Sequence, residues 1–134
     1  MISVCIATYN GEKYIKEQLL SILPQLGKKD EVIISDDHST DNTLDIVKGL
    51  NDNRIKIVMN NREKGYTSNF ENALSYAIGD YIFLSDQDDI WMSNKVDYCI
   101  AELKEYDLVV SDAILINSNC LLYTSPSPRD RQKS

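Results

Sequence analysis

Short apolar runs alternate along the chain with stretches whose apolar residues recur every three or four positions. Residues 2–7 form the first run and predict a buried strand. Asn10 can cap the helix that follows, in which Ile15, Leu19, Ile22, Leu23 and Leu26 keep helical spacing. Pro24 falls inside that pattern, so the helix is expected to stop or kink just before it. Residues 31–35 predict a second strand, ending on Asp36-Asp37. Ser39, Thr40 and Asp41 can open a second helix that carries Leu44, Val47 and Leu50 on one face. A third strand is expected over residues 54–59, with Ile55 and Ile57 in alternation. After Gly65, the spacing of Phe70, Ala73, Leu74, Ala77 and Ile78 marks a third helix, which Gly79 is placed to end. Residues 80–85 form a fourth strand. Ser93 can then cap a helix that buries Val96, Cys99, Ile100 and Leu103, and residues 107–111 read as a fifth strand. Strands alternating with helices predict an α/β domain with a mostly parallel sheet and flanking helices.

The texture breaks near Cys120, where Pro126 and Pro128 stand at alternate positions and no periodicity survives. Residues 120–134 are therefore expected to be a disordered tail, leaving 1–119 as the folded unit. The tail carries three basic residues and one acid, so the rest is more acidic than the total net charge of −7 indicates. That charge argues against a nucleic-acid duplex as partner. It leaves room for one nucleotide whose diphosphate is screened by a metal ion. No apolar run approaches membrane-spanning length, and the start reads as a strand rather than a signal peptide. The three cysteines show no Cys-x-x-Cys spacing. Cys5 and Cys99 sit at apolar-patterned positions and are expected as buried thiols of a reducing, cytoplasmic compartment.

In a parallel sheet, ligands bind beyond the carboxyl ends of the strands. Three polar clusters fall at such ends here: Thr8-Tyr9-Asn10, Asp36-Asp37 and Asp86-Gln87-Asp88-Asp89. Thr8, Tyr9 and Asn10 can offer backbone groups and an aromatic face to a flat ligand, and Gly11 permits close approach. The same residues also suit a plain strand-to-helix turn. Asp36 and Asp37 can accept hydrogen bonds from a base N–H or from ribose hydroxyls, or simply form an acidic turn. Asp86 and Asp88 are two apart, so in extended backbone they face one side and repel unless a cation lies between them. Their oxygen ligands favour Mg²⁺ or Mn²⁺, bridged to a diphosphate, over zinc. Trp91 reads either as a lid or acceptor platform or as a buried anchor. His38 is the only histidine and has no evident catalytic partner.

In this order, Ser-Val-Cys-Ile-Ala-Thr-Tyr-Asn-Gly, Ile-Ile-Ser-Asp-Asp-His-Ser-Thr-Asp and Phe-Leu-Ser-Asp-Gln-Asp-Asp-Ile-Trp resemble the amino-terminal half of a family-2 glycosyltransferase. The rhamnosyltransferase-like subset, active in bacterial polysaccharide assembly, is the most similar. The resemblance covers roughly residues 2–118. It implies a truncated, Rossmann-like fold of the glycosyltransferase-A type and a nucleoside-diphosphate-sugar donor. By position, Thr8, Tyr9 and Asn10 would line the nucleotide site. Asp37, with Asp36 beside it, would meet the base, and Asp86 would lie near the ribose. Asp86 and Asp88 would form the metal site, and Gly65 matches the family's glycine before the third helix. Phe70 stands where many relatives have an arginine for the diphosphate, and His38 where a small residue is common. The implied reaction inverts the anomeric carbon, with a saccharide or lipid-linked acceptor. The base would be an acid in the second half of the domain, so this chain alone is expected to be inactive. The full-length protein could work at the inner face of the membrane. The segment Cys-Leu-Leu-Tyr-Thr-Ser-Pro-Ser-Pro-Arg-Asp resembles a translated sequencing adapter, which would end the native frame near Asn119.

Other classes compete. A receiver-type phosphoacceptor domain also sets acids at strand ends, but the order of acids here is wrong for it and no lysine follows the fifth strand. A nucleotidyltransferase would begin with a glycine-rich basic loop, unlike residues 8–13. A non-catalytic interaction module is the third alternative.

Overall fold

The computed structural model describes residues 1–86, 89–106, 114–116 and 121–124. Strand β1 (Ile2–Thr8) leads to helix α1 (Ile15–Ile22), then β2 (Glu31–Asp36), α2 (Thr43–Gly49), β3 (Ile55–Met59), α3 (Tyr66–Tyr76), β4 (Tyr81–Asp86), α4 (Lys95–Tyr106), β5 (Ile114–Ile116) and β6 (Leu121–Thr124). The strands form one sheet in the order β3-β2-β1-β4-β6-β5. The first four of that order run parallel, and β6 joins β4 and β5 antiparallel.

Strands β1 and β2 lie in the middle and are covered on both faces, which is why they read as continuous apolar runs. Strand alternation divides them between two layers. Val4, Ile6, Val32, Ile34 and Phe83 pack with Ile15, Leu19 and Ile22 of α1, Val47 of α2 and Val96 of α4. Cys5, Ile33 and Ile82 face the other way, onto Ala73 of α3. Burying each large apolar side chain contributes about 1.5–3 kcal/mol, so the thicker first layer dominates the core. The α/β sandwich expected from the sequence is the fold observed.

Several local expectations change. Helix α1 does stop before Pro24, which starts a short 3-10 helix over Leu23–Gln25. It begins at Ile15, however, and Asn10 does not cap it. Asn10 has φ 51°, a left-handed turn conformation, and its side chain is used elsewhere. Helix α3 ends at Tyr76, three residues before Gly79. Gly79 is needed for space: a Cβ there would lie 2.7 Å from Ser3 Oγ, 2.8 Å from Ser3 N and 2.9 Å from Met1 O. The buried face of α3 is also rotated from the apolar spacing, onto Asn69, Asn72 and Ala73, while Ile78 is exposed. The first turn of α4 is held from outside, since Val96 N–H donates to Gln25 Oε1 at 2.9 Å.

The strand expected at 107–111 lies outside the described residues. Residues 121–124, expected within a disordered tail, instead form β6, paired with β4 through Phe83↔Leu122. Leu-Leu-Tyr-Thr is a short segment of good strand formers, and an unpaired edge of β4 gives it a ladder. Cys5 is buried and free, and burial with Glu31 nearby pushes its thiol up to about 12. Cys99 is buried too but is disulfide-bonded, not a thiol: apolar spacing reports burial and is blind to pairing.

Candidate functional site

The four parallel strands end almost level. Thr8 pairs in register with Asp36, Asp36 with Met59, and Asp86 with Ala7. With strands about 4.8 Å apart, Asp36 and Asp86 flank β1 at one edge, roughly 10 Å from each other across the sheet. Of the residues singled out in the sequence, Thr8, Tyr9, Asn10, Asp36, Asp37 and Gly65 gather at this edge through direct contacts.

Asp36 is fully buried. Its carboxylate accepts hydrogen bonds from Thr8 Oγ1 at 2.7 Å, Ser39 N at 2.7 Å and Ser39 Oγ at 2.6 Å. It thus joins β1 to β2 and shapes the turn after β2. Asp37 is 5% exposed. Its N–H donates to Thr8 O at 2.9 Å, while its carboxylate accepts from Asn60 Nδ2 and from Gly65 N, each at 3.1 Å. The two adjacent acids therefore play different parts. Asp36 is enclosed by the turn it organises, and Asp37 links that turn to the loop before α3.

That loop depends on Gly65, whose φ of 142° suits glycine alone. Gly65 stands at the N-cap of α3, and its carbonyl accepts from Asn69 N at 2.9 Å. His38 has φ 61° in the turn after Asp37, with Nε2 3.1 Å from Asn60 O. The left-handed backbone explains why a small residue suits this position.

Asn10 clips the turn after β1 to the turn after β2. Its N–H donates to Ser39 Oγ at 2.9 Å, and its Oδ1 accepts from Thr40 N at 2.8 Å. Gly11 N–H donates to Thr43 Oγ1 at 2.9 Å in the same seam. Tyr9, which follows β1, is 42% exposed. Lys64 Nζ lies 4.5 Å from the centroid of its ring.

A polar layer under this edge escaped the sequence reading. Asn69 Nδ2 donates to Thr8 O at 3.2 Å, and Asn69 Oδ1 accepts from Ser35 Oγ at 2.6 Å. Asn72 Nδ2 donates to Ser35 Oγ at 2.9 Å and Met59 O at 3.0 Å. Both asparagines are almost wholly buried, so α3 is docked to the strand ends by hydrogen bonds as well as by packing. Two asparagines three apart, flanking Ala73, are the signal that could have revealed this face.

Asp86 closes β4, and Gln87 and Asp88 lie outside the described residues. Among the described residues no three His, Cys, Asp or Glu side chains form a metal-binding group. Trp91 is a buried anchor, not a lid: its ring packs 5.3 Å from that of Phe83 and its Nε1 donates to Ser85 Oγ at 3.1 Å. Gln18 Nε2 donates to the same oxygen at 2.9 Å, so two buried side chains hold the residue before Asp86.

Sequence and structure comparisons identify similar proteins and folds. A sequence model of glycosyl transferase family 2 matches residues 3–133. The β-1,3-glucosyltransferase WfgD of Escherichia coli, named for UDP-Glc and GlcNAc-diphosphoundecaprenol, is 31% identical over 96% of this chain and 52% of its own length. The dTDP-rhamnosyl transferase RfbG of Shigella flexneri is 38% identical over 88% of this chain and 42% of its own. The chain thus spans about half the length of these curated relatives. The solved structure of S. aureus TarS 1-349 with UDP-GlcNAc shares 32% identity and a TM-score of 0.69, over 78% of this chain and 31% of that one. The mannosyltransferase PcManGT of Pyrobaculum calidifontis, solved with GDP-Man and Mn²⁺, has a TM-score of 0.73 at 20% identity, over 92% of this chain and 44% of its own: a likeness of fold.

Proposed function

Because the chain belongs to glycosyl transferase family 2, we propose that it is the donor-binding half of an inverting glycosyltransferase and holds a nucleoside-diphosphate sugar at the carboxyl edge of its sheet. The observation that supports this reading is the register Thr8↔Asp36 and Ala7↔Asp86, which sets Thr8, Asp36 and Asp86 at one edge of the sheet. In it the nucleobase lies on the exposed Tyr9 ring. Asp37 accepts from the base, and Asp36 acts at one remove by holding the turn and Thr8 in place. Asn10 and Gly65 fix the two loops that border the nucleotide. The donor set suits a hard divalent cation: Asp86 and Asp88 supply oxygen ligands only, the chemistry of Mg²⁺ or Mn²⁺. Such a cation offsets the charge on the departing diphosphate.

In the transfer itself the acceptor hydroxyl forms a bond to the anomeric carbon as the bond from that carbon to the diphosphate breaks. The hydroxyl proton passes to a general base. We assign that base to a part of the full-length enzyme outside this chain, so this chain binds donor without turning it over. The curated relatives differ in donor, UDP-Glc for one and dTDP-rhamnose for the other. The sugar is therefore assigned only as a class. A saccharide or lipid-linked acceptor is proposed, since WfgD is named for an undecaprenol-linked one. Among the described residues no helix is long and apolar enough to cross a membrane, and the proposed place of work is the cytoplasmic side of one.

Titration calorimetry with UDP- and dTDP-sugars in the presence of Mn²⁺ tests the reading. Metal-dependent heat with at least one of them is expected. A folded sample giving none would sink the donor assignment, and sugar transfer by this chain alone would sink the claim of inactivity.

A further inference from the structure

The polar side chains of α1 make contacts that packing does not require. Ile15, Leu19 and Ile22 give the helix an apolar inner face, yet Gln18 stands among them and is fully buried. Burying an amide costs free energy unless it is bonded, and an apolar side chain would fill the same space. Gln18 Nε2 donates to Ser85 Oγ at 2.9 Å. Ser21 and Gln25 follow on the same side at helical spacing. Ser21 Oγ accepts from Trp91 N at 3.0 Å and donates to Gln18 O at 2.6 Å. Gln25 Nε2 donates to Met92 O at 2.7 Å, and its Oε1 accepts from Val96 N at 2.9 Å. Gln18 thus grips the chain before residues 86–90, and Ser21 and Gln25 grip it after them. Trp91 Nε1, which donates to Ser85 Oγ at 3.1 Å, ties the two ends of that span to each other.

We propose that Gln18 and Trp91 are positioning residues for the divalent cation, an inference that rests on the donor-site reading above. Asp86 and Asp88, the proposed oxygen ligands, belong to the span that this clasp closes. Fixing both ends of a short span removes many of the conformations that would hold the two carboxylates apart. Like charges repel while no cation is bound, so the clasp opposes that repulsion before the metal arrives. Neither Gln18 nor Trp91 has to touch the metal. Both act through Ser85, the neighbour of Asp86. Removing a group that orients metal ligands in this way lowers metal affinity by about 10- to 100-fold.

The experiment measures, by calorimetry, the Mn²⁺ concentration that gives half-maximal binding of UDP or dTDP. It compares the unmodified chain with Gln18→Met and Trp91→Phe. Met keeps the length of Gln18, and Phe keeps a ring against Phe83, while each substitution removes one donor to Ser85. Gly79→Ala, at the amino end of the sheet, is a control that is destabilised without touching the clasp. Each clasp variant, its fold checked by circular dichroism, should need about tenfold more Mn²⁺. Gly79→Ala should need as much as the unmodified chain. Either clasp variant decides the question if the other does not fold. A folded clasp variant with the original Mn²⁺ requirement would overturn this proposal alone. An equal shift in Gly79→Ala would reduce the clasp to general stability and overturn it likewise. If the unmodified chain binds neither UDP nor dTDP with Mn²⁺, the donor-site reading falls and this inference with it.

Discussion

The two ends of the sheet each bury a carboxylate, and they use it differently. At the amino end, Glu31 is 2% exposed and accepts from Ser3 Oγ, from Lys56 Nζ at 2.7 Å and from Ile78 N at 3.0 Å. Gly79 N–H donates to Ser3 Oγ at 2.8 Å, closing the cluster. Burial alone would raise the Glu31 pKa, but these bonds and the Lys56 charge outweigh it and hold the carboxyl below its ordinary value. At the carboxyl end, Asp36 and Asp37 are as deeply placed, but their bonds run to turns and loops that carry an exposed ring and an exposed cation. A buried acid at a strand end is thus no sign of a ligand site in itself. What distinguishes the carboxyl end is that its acids organise turns beside exposed side chains, while Glu31 ties together Ser3, Lys56 and the backbone of Ile78.

The sharpest way to break this contrast is Gly79→Ala. The added Cβ meets backbone at Ser3 N (2.8 Å) and Met1 O (2.9 Å), which cannot move aside cheaply. We expect a loss of about 3 kcal/mol in urea unfolding, with nucleotide affinity unchanged in the folded fraction. Weakened affinity at full folding would show that the two ends are coupled.

Glu31→Gln should cost about 2 kcal/mol, because charge-assisted bonds are lost and a buried acceptor is replaced by a group that is partly a donor. The pH dependence has a definite sign. A folded pKa below the unfolded one gives stabilisation that is complete above the ordinary glutamate value of about 4.3. It is lost as the pH falls through the lower folded value. The variant's unfolding free energy should therefore vary less across that acid range. An unaltered acid limb would mean that Glu31 is not held in its charged form.

At the other end, Gly65→Ala meets nothing closer than Ser68 Oγ at 3.9 Å, so sterics with neighbours do not decide it. Its φ of 142° does, at about 1–2 kcal/mol. The loop can relieve that strain by letting go of Asp37. We expect nucleotide affinity to fall about tenfold, a larger share of function than of stability. The reverse balance would make this loop structural.

The smallest effect is an expected silence. Cys5 is fully buried with its thiol pushed up to about 12, so a thiol reagent at pH 8 should label it only after unfolding. Labelling of Cys5 in the folded protein would show that the sheet centre opens.

Much of this was readable from residue order. Continuous apolar runs marked β1, β2 and β4 because a parallel strand is covered on both faces. Acids and a Thr-Tyr-Asn cluster at strand ends marked the edge. Where pattern misled, a polar contact had replaced an apolar one. Asn69 and Asn72 bury on hydrogen bonds, which no hydrophobic period detects. Asn10 left its helix to hold Thr40, thirty residues away.

Periodicity was sufficient for the alternation of strands and helices, since each element must hide one face or two and writes that need into its own neighbours. The assignment of Asp36 to the turn and Asp37 to the Gly65 loop was not written there, nor was the meeting of Lys64 with Tyr9. Those depend on parallel register across β1, β2 and β3, which joins residues 28 to 55 positions apart. Adjacent acids look alike along a chain. They become different only when other strands bring them different donors.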